Sequence, residues 1–449
     1  MVQSNTTGFG DTDDIPIDGV TIDSRTVEPG DLFVPIVADR DGHDFIAAAV
    51  AAGAVAALVQ ADHQSQASEL TDPDGRPVPA VVVTNTDQAL LLLGKAARNR
   101  LNAQVVGVTG SVGKTSVKDL LTAIGSAHTT THSNLASFNN ELGVPLTLLG
   151  APLDAGIVII EMGARDVGHI ELLCGIARPT IGIVTAVAAV HTEIFGTIAQ
   201  VAQAKGELVE QLPEEGTAVL NADDPLVMAM ASRSGAKNIL SYGFGAADVR
   251  VSDVVVGPNL RPTFTLTTPV GSASLQLGVA GAHMAGNAAA AAAGAIAAGV
   301  PFDAIQEGLV SPVLSPHRMD LFTTDAGTAI INDAYNANPT SMRAGIDALI
   351  ALEARRHIAV LGVMGELGSS EAEDHVAIAG YARERGVEVI AVNAPLYGER
   401  CSHAVDVDTA LQILGELGHN DAVLVKGSRV AGLEKFVDRV VGRDGLRNG

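Results

Sequence analysis

The chain has 449 residues, 47% of them hydrophobic, with 48 glycines, no tryptophan and a formal net charge of −23. That length exceeds one ordinary core and implies about three domains. So acidic a surface excludes general affinity for nucleic acid or anionic membrane, since both need surplus Lys and Arg.

No apolar run approaches the roughly 20 residues of a membrane span. No secretory signal is visible in the polar N-terminus. The two distant cysteines, Cys174 and Cys401, argue against a disulfide scaffold. A cytoplasmic protein without membrane insertion is expected.

Residues 1–14 read as disordered. From Ile15 the alternation of apolar and polar residues reads as a half-exposed strand, followed by the apolar stretch Leu32 to Val37. Asp41 to Phe45 precedes an alanine-rich helix, Ile46 to Gly53. Strands at Ala56–Val59 and Ala80–Val83 and a helix from Asp87 to Asn99 complete a small α/β domain, residues 1–103.

A central domain, residues 104–313, opens on Val105-Val106-Gly107-Val108-Thr109-Gly110-Ser111-Val112-Gly113-Lys114-Thr115-Ser116. A short apolar strand passes through a Gly-Ser turn into a helix beginning near Thr115. This is a phosphate-binding loop. Its glycines let successive backbone N–H groups turn toward one anion, the helix N-terminus adds its positive end, and Lys114 supplies a point charge. Thr115 then offers its hydroxyl to Mg²⁺. Val108 stands where the strict pattern has glycine, so the loop is the Thr-Gly-Ser-x-Gly-Lys-Thr variant.

The following strands end in polar residues. Glu161 closes the strand Gly156–Ile160, and His191 follows the strand Ile181–Val187. Side chains at these strand ends face the crevice where open α/β sheets bind ligands. Both are metal-ligand candidates. The helix from Thr197 to Leu212 carries Lys205, one of only seven lysines in the chain. Residues 249–277 alternate like antiparallel sheet, and an alanine helix runs from Ala288 to Ala298, as helix propensity alone explains.

Proline density rises from Pro312 to Pro316, which marks a second boundary. The last domain, residues 314–449, has strands around Leu321 and Thr328–Ile331, then His357–Val363, Val387–Val392 and Ala422–Val425. Helical stretches between them imply a parallel, Rossmann-like sheet with right-handed crossovers. Gly365-Glu366-Leu367-Gly368 and Lys426-Gly427-Ser428-Arg429 are again polar strand ends. Nothing suggests internal repeats. The fold class is α/β in three domains: a small N-terminal α/β domain, a central phosphate-loop domain with a parallel sheet, and the Rossmann-like C-terminal domain.

Several ordered motifs together resemble the Mur ligase family. They are Thr-Gly-Ser-Val-Gly-Lys-Thr-Ser (109–116), Phe-Asn-Asn-Glu-Leu-Gly-Val-Pro-Leu-Thr-Leu-Leu (138–149), Glu-Met-Gly-Ala (161–164), Ala-Lys-Gly-Glu (204–207), Asn-Asp-Ala-Tyr-Asn-Ala-Asn-Pro-Thr-Ser-Met (332–342) and Lys-Gly-Ser-Arg (426–429). The similarity runs from Val20 to Val440. The stretches Asp23–Val34 and Asp41–Phe45 resemble the members that join D-Ala-D-Ala to a UDP-linked muramoyl tripeptide. Met284 stands where an Asn is common in the family, and Asp39-Arg40-Asp41-Gly42 is one residue shorter than usual.

The resemblance implies an ATP-dependent amide ligase of peptidoglycan precursor synthesis, working through an acyl phosphate with Mg²⁺. It implies that Thr109, Gly110, Ser111, Val112, Gly113, Lys114, Thr115 and Ser116 bind ATP phosphates. Thr115 and Glu161 would hold one Mg²⁺ and His191 a second, with Lys205 carbamylated to serve the metal site. Asn287 matches an adenine contact, Asp333 and Asn336 match ribose and phosphate contacts, and Arg318 matches the arginine that opens the third domain. Ser24 and Arg25 would lie near the uridine. Asn139, Asn140, Lys426 and Arg429 are candidate substrate contacts. A monomer is expected.

Other readings stay open at this point: a sibling ligase adding the third amino acid, a folylpolyglutamate-type or cyanophycin-type ligase, a nucleotide-binding regulator, and a phosphotransferase.

Overall fold

The computed structural model describes residues 6–7, 15–67, 70–134, 138–188 and 195–444. Three sheets account for the strands, taken up one after another along the chain. The first comprises β1 (Thr6–Thr7), β2 (Gly19–Thr21), β3 (Asp31–Phe33), β4 (Ala56–Gln60) and β5 (Ala80–Val83), in the order β1-β5-β4-β3-β2. Its pairs are parallel except at β1, where Thr6 and Thr7 lie antiparallel to Val81 and Ala80.

That pairing corrects the expectation of disorder at Thr6 and Thr7. Two polar residues carry no readable periodicity, but they cover the backbone groups that the outer side of β5 would otherwise expose. The rest of residues 1–14 lies outside the described set.

The strand expected from Ile15 is confined to Gly19–Thr21, because Asp23 turns the chain. Its carboxylate accepts from the Arg25 backbone N–H at 3.0 Å, and its carbonyl accepts from Thr26 N–H at 3.1 Å.

The second sheet holds β6 (Gln104–Thr109), β7 (Thr131–Ser133), β8 (Ile157–Glu161), β9 (Ile181–Val184), β10 (Thr217–Asn221), β11 (Asn238–Gly243), β12 (Val249–Val256), β13 (Pro262–Thr268) and β14 (Gly271–Gln276). Their order is β14-β13-β12-β11-β10-β9-β6-β8-β7. Pairs from β7 to β12 are parallel, and β12, β13 and β14 form an antiparallel meander at one edge. Burial on both faces explains the unbroken apolar runs of β8 and β9.

On one face pack α1 (Lys114–Ser126), through Val117, Leu120, Leu121 and Ile124, and the alanine helix Met284–Ala297. On the other lies the helix Ile198–Glu210, through Val201, Ala204 and Leu208.

The third sheet holds β15 (Asp320–Thr323), β16 (Ala329–Asp333), β17 (Arg356–Leu361), β18 (Glu388–Val392), β19 (Ser402–Ala404) and β20 (Asp421–Lys426), in the order β15-β16-β20-β17-β18-β19. The expected parallel sheet holds for all pairs but one. β15 runs antiparallel to β16 because the two are joined by a tight turn, closed by Gly327 N–H to Thr324 O at 2.9 Å and too short for a crossover. β19 was not expected, since three residues are too few to show alternation. The C-terminal ends of β6, β8 and β9 face those of β16, β17 and β20 across a cleft of about 850 Å³.

Candidate active site

The phosphate loop is shaped by backbone that only glycine supplies. Gly110 has φ 148°, and a Cβ there would overlap the Thr185 hydroxyl oxygen. Gly113, at φ 83°, caps the start of α1, where a Cβ would stand 2.7 Å from Asn287 Oδ1.

The neighbouring strand ends hold the loop from behind. Ser111 N–H donates to Ala186 O at 2.8 Å, Thr185 Oγ1 donates to Val112 O at 2.5 Å, and Thr109 Oγ1 donates to Met162 O at 2.8 Å. The first N–H groups of α1 are thereby left to face the cleft, with Lys114 among them. Lys114 Nζ donates to Gly110 O at 2.8 Å. Desolvation by the cleft walls lowers its pKa; Glu161 and Glu366 oppose that shift and Arg318 adds to it.

Glu161, at the end of β8, is 1% exposed. Its Oε2 accepts from Thr115 Oγ1 at 2.7 Å and its Oε1 from Asn139 Nδ2 at 2.8 Å, while its own N–H donates to Asn134 Oδ1 at 3.0 Å. A hydroxyl and a carboxylate placed together are hard oxygen donors of the kind Mg²⁺ prefers. Arg318 Nη2 also donates to Thr115 Oγ1, at 2.9 Å, with its guanidinium 4.2 Å from the Tyr335 ring centroid.

Lys205 lines the same cleft at 2% exposure, with no hydrogen bond or ion pair to another described residue. Burial first, and Lys114 second, lower its pKa to about 7. An amine so perturbed, in a cleft, is a candidate functional group.

The opposite bank comes from the third sheet. The β16–β20 register sets Asp333 beside Lys426, whose Nζ pairs with Asp333 Oδ2 and donates to Asn336 O at 2.9 Å. Tyr335 carries Arg318 on its face and has Arg429 at 5.6 Å. The cleft thus has one bank built on the glycine loop and the start of α1, with an oxygen-donor pocket, and a second bank of engaged charges from another sheet.

Three family models match the chain. They are "Mur ligase family, catalytic domain" over residues 16–100, "Mur ligase middle domain" over 108–295, and "Mur ligase, glutamate ligase domain" over 317–429. The UDP-N-acetylmuramoyl-tripeptide--D-alanyl-D-alanine ligase of Mycobacterium bovis is 37% identical, covering 95% of this chain and 92% of that one. The chain belongs to the Mur ligase family.

The enzyme of the same name from Escherichia coli is 35% identical, with 94% of each chain covered. Among solved structures, MurF from Acinetobacter baumannii has TM-score 0.83 at 29% identity, covering 95% of this chain and 94% of that one. MurF ligase from Thermotoga maritima, in complex with ADP, has TM-score 0.80 at 26% identity, covering 95% and 98%.

Most residues expected from the sequence of this Mur ligase meet in the cleft: Ser111 to Ser116, Asn139, Asn140, Glu161, Lys205, Asn287, Arg318, Asp333, Asn336, Lys426 and Arg429. Thr109 and Gly110 shape the loop from behind without lining the cleft. Asn140 Oδ1 is engaged locally, accepting from Gly143 N–H at 3.0 Å. Ser24 and Arg25 do not line this cleft; they lie on the first sheet's loop, where Arg25 is exposed and paired with Asp23 at 2.6 Å. His191 lies outside the described residues.

Sequence reasoning missed Tyr335, Phe244 and Asp223 as cleft residues. Phe244 follows β11 and stands over Gly286, with Asp223 Oδ2 accepting from its N–H at 2.7 Å. The strand-end rule that found Glu161 applies equally to Phe244.

Asp41, His43 and His63 gather on the first sheet's flank. His43 Nε2 accepts the Gln60 backbone N–H at 3.1 Å, so Nδ1 carries the proton and faces Asp41 Oδ1 at 2.7 Å. That tautomer bars His43 Nδ1 from ligating a metal there.

Proposed function

We propose that this Mur ligase uses ATP to form an amide bond between the peptide carboxylate of UDP-N-acetylmuramoyl-tripeptide and the amine of D-alanyl-D-alanine, in cytoplasmic peptidoglycan precursor synthesis. The identity to ligases of that name over nearly the whole chain supports the substrates, and the ADP complex of a structural neighbour supports the nucleotide. No helix among the described residues is long and apolar enough to cross a membrane.

One observation carries the chemistry. The phosphate loop with its Thr115–Glu161 oxygen pocket and the Asp333–Lys426 bank face each other across a single cleft. Such an arrangement holds a phosphoryl donor and two further reactants in one volume, which is how positioning lowers a barrier of this kind.

In this reading residues 1–103 receive the UDP end, 104–313 the ATP and 314–449 the amine. The α1 N-terminus and Lys114 hold the outer phosphates while the peptide carboxylate attacks the γ-phosphorus, giving acyl phosphate and ADP. The amine then attacks the acyl carbon; a C–N bond forms, the C–O bond to phosphate breaks, and phosphate leaves. Asn287 faces the adenine, Asp333 and Asn336 the ribose and phosphates, and Arg318 the nucleotide from the third sheet. Asn139, Asn140, Lys426 and Arg429 lie toward the acceptor peptide and the transferring phosphate, and Ser24 and Arg25 toward the uridine.

Thr115 and Glu161 fit Mg²⁺ by donor type and spacing, with His191 and a carbamylated Lys205 completing the set by the family pattern. When bound, Mg²⁺ neutralises charge on the phosphoryl oxygens. The protein acts as a monomer.

The test is mass-spectrometric product analysis with ATP, Mg²⁺, UDP-N-acetylmuramoyl-tripeptide and a panel of amines. Turnover with D-Ala-D-Ala should exceed that with meso-diaminopimelate or L-lysine by at least about 10²-fold, the scale of polar discrimination in a built site. Comparable rates with single amino acids, or with acceptors lacking UDP, reject the reading.

A further inference from the structure

The third sheet has a second concave site, at the end away from the cleft. Arg356, Glu388 and Ser402 are the first residues of β17, β18 and β19, and a cavity of about 270 Å³ opens beside them. The helix Glu371–Glu384 brings Arg383 to its wall from the last turn, and the loop that enters β19 brings Arg400 and Cys401. Val387, Ile390 and Ile413 give the cavity an apolar side.

Three guanidinium groups from three separate elements therefore line one small cavity, in a chain whose acidic side chains outnumber Lys and Arg by 51 to 28. Glu388 is the one carboxylate among the lining residues, and Arg356 holds both of its oxygens. Arg356 Nε donates to Oε1 at 3.2 Å and Nη2 to Oε2 at 2.9 Å. Arg356 Nη1 lies 3.9 Å from Asp421 Oδ2, a fully buried carboxylate that Arg355 already holds. The Arg383 and Arg400 side chains make no hydrogen bond or ion pair to another described residue.

A cation in a helix's last turn suits the negative end of the helix dipole, which accounts for Arg383 alone. It does not account for Arg400, which lies on a loop, nor for the sharing of one cavity by both. Like charges kept together without a carboxylate between them are completed by an anion from outside. Guanidinium forks match the paired oxygens of a carboxylate or phosphate, and the apolar side suits a compact hydrocarbon body on the same molecule.

We propose that this cavity binds a small organic oxyanion, its phosphate or carboxylate group held by Arg383 and Arg400 and its apolar body against Val387, Ile390 and Ile413. The site is separate from the cleft, at the opposite end of the same sheet, and needs nothing from the ligase reading.

Cys401 makes the test local. Its thiol lines the cavity and is partly exposed, whereas Cys174 is buried. Alkylation by iodoacetamide, read peptide by peptide by mass spectrometry, follows access to each sulfur. The full chain is alkylated at constant ionic strength, with and without phenyl phosphate, phenylacetate or uncharged benzyl alcohol. An anion bound in the cleft, at the far end of the sheet, leaves Cys401 uncovered.

At saturation, phenyl phosphate or phenylacetate should slow Cys401 alkylation at least about fivefold, and benzyl alcohol less than about twofold. Whichever anion protects better identifies the head group. In Arg383→Gln/Arg400→Gln, rates with and without the anion should become equal. Arg400→Gln alone, at an exposed loop position, should raise the half-protecting concentration at least about fivefold and carries the test if the double variant misfolds. Protection by neither anion, equal protection by benzyl alcohol, or protection unchanged in the arginine variants overturns the proposal.

Discussion

Replacing Lys205 by Met should make the central sheet more stable and the enzyme inactive, and the size of the gain should depend on pH. The Lys205 ammonium is buried, and its pKa in the folded chain is about 7, against about 10.4 in an unfolded chain. Below about pH 7 both states hold the proton, and the folded state bears the whole cost of a buried charge. Between about pH 7 and 10.4 the unfolded chain holds one more proton than the folded chain, so wild-type stability rises with pH.

Each pH unit in that window contributes about 1.4 kcal/mol per proton. Relative to a neutral isostere, the wild type therefore carries a penalty of roughly 4 kcal/mol at pH 6.5 and roughly 1 kcal/mol at pH 9.5. Methionine matches the stem in length and removes the titrating group.

Amide hydrogen exchange of β6 and β9 reports this sheet and not the whole chain. In CO₂-depleted buffer it should show the Lys205→Met advantage shrinking by about 3 kcal/mol between pH 6.5 and 9.5. A pH-independent difference, or a variant less stable at pH 6.5, refutes the reasoning. Restoring CO₂ should raise wild-type turnover and leave the variant inactive.

Lys114→Ala should lower turnover at least about 10²-fold with the fold intact by circular dichroism, the usual scale for one removed electrostatic stabiliser. Gly110→Ala drives a Cβ into the Thr185 hydroxyl; ADP affinity by calorimetry should fall more than about tenfold, roughly 1.4 kcal/mol. Asp119→Ala removes the carboxylate that pairs with buried Lys118 at 2.7 Å, leaving that ammonium only its bond to Asn134 O, and releases the Ser315 N–H that Asp119 accepts at 2.7 Å. The expected loss is roughly 3–5 kcal/mol in thermal unfolding, and Asp119→Asn, which keeps an acceptor for Ser315, should lose less.

What could be read from the sequence was local. A phosphate loop is a backbone motif, so Gly110, Gly113 and Lys114 carry their own spacing, and strand-end residues such as Glu161 are placed by the rule of parallel sheets. Lys118 and Asp119 were not legible as a pair. A helix shows which face is apolar, but Asp119 is buried against Ser315, nearly 200 positions away, and Lys118 donates to Asn134 O at 3.0 Å, so only the tertiary fold brings these partners to them. Tyr335 sits inside a motif that was recognised, yet its contact with Arg318 depends on how the third sheet meets the second.

The alanine helix has a consequence that reaches the glycine loop. Ala288 to Ala293 and Ala295 are all buried where the helix packs against α1 and the sheet, and a methyl added at Gly294 would stand 2.5 Å from Ile183 Cδ1. Side chains this small let the helix lie close to both, and a larger one at these buried positions must displace a neighbour. Asn287 is carried by the same helix, beside Gly113 of the loop. A larger side chain deep in the interior, at a position that never meets solvent, therefore shifts the helix that holds Asn287 against the loop, and the chain's tolerance for change is narrow where its sequence looks most monotonous.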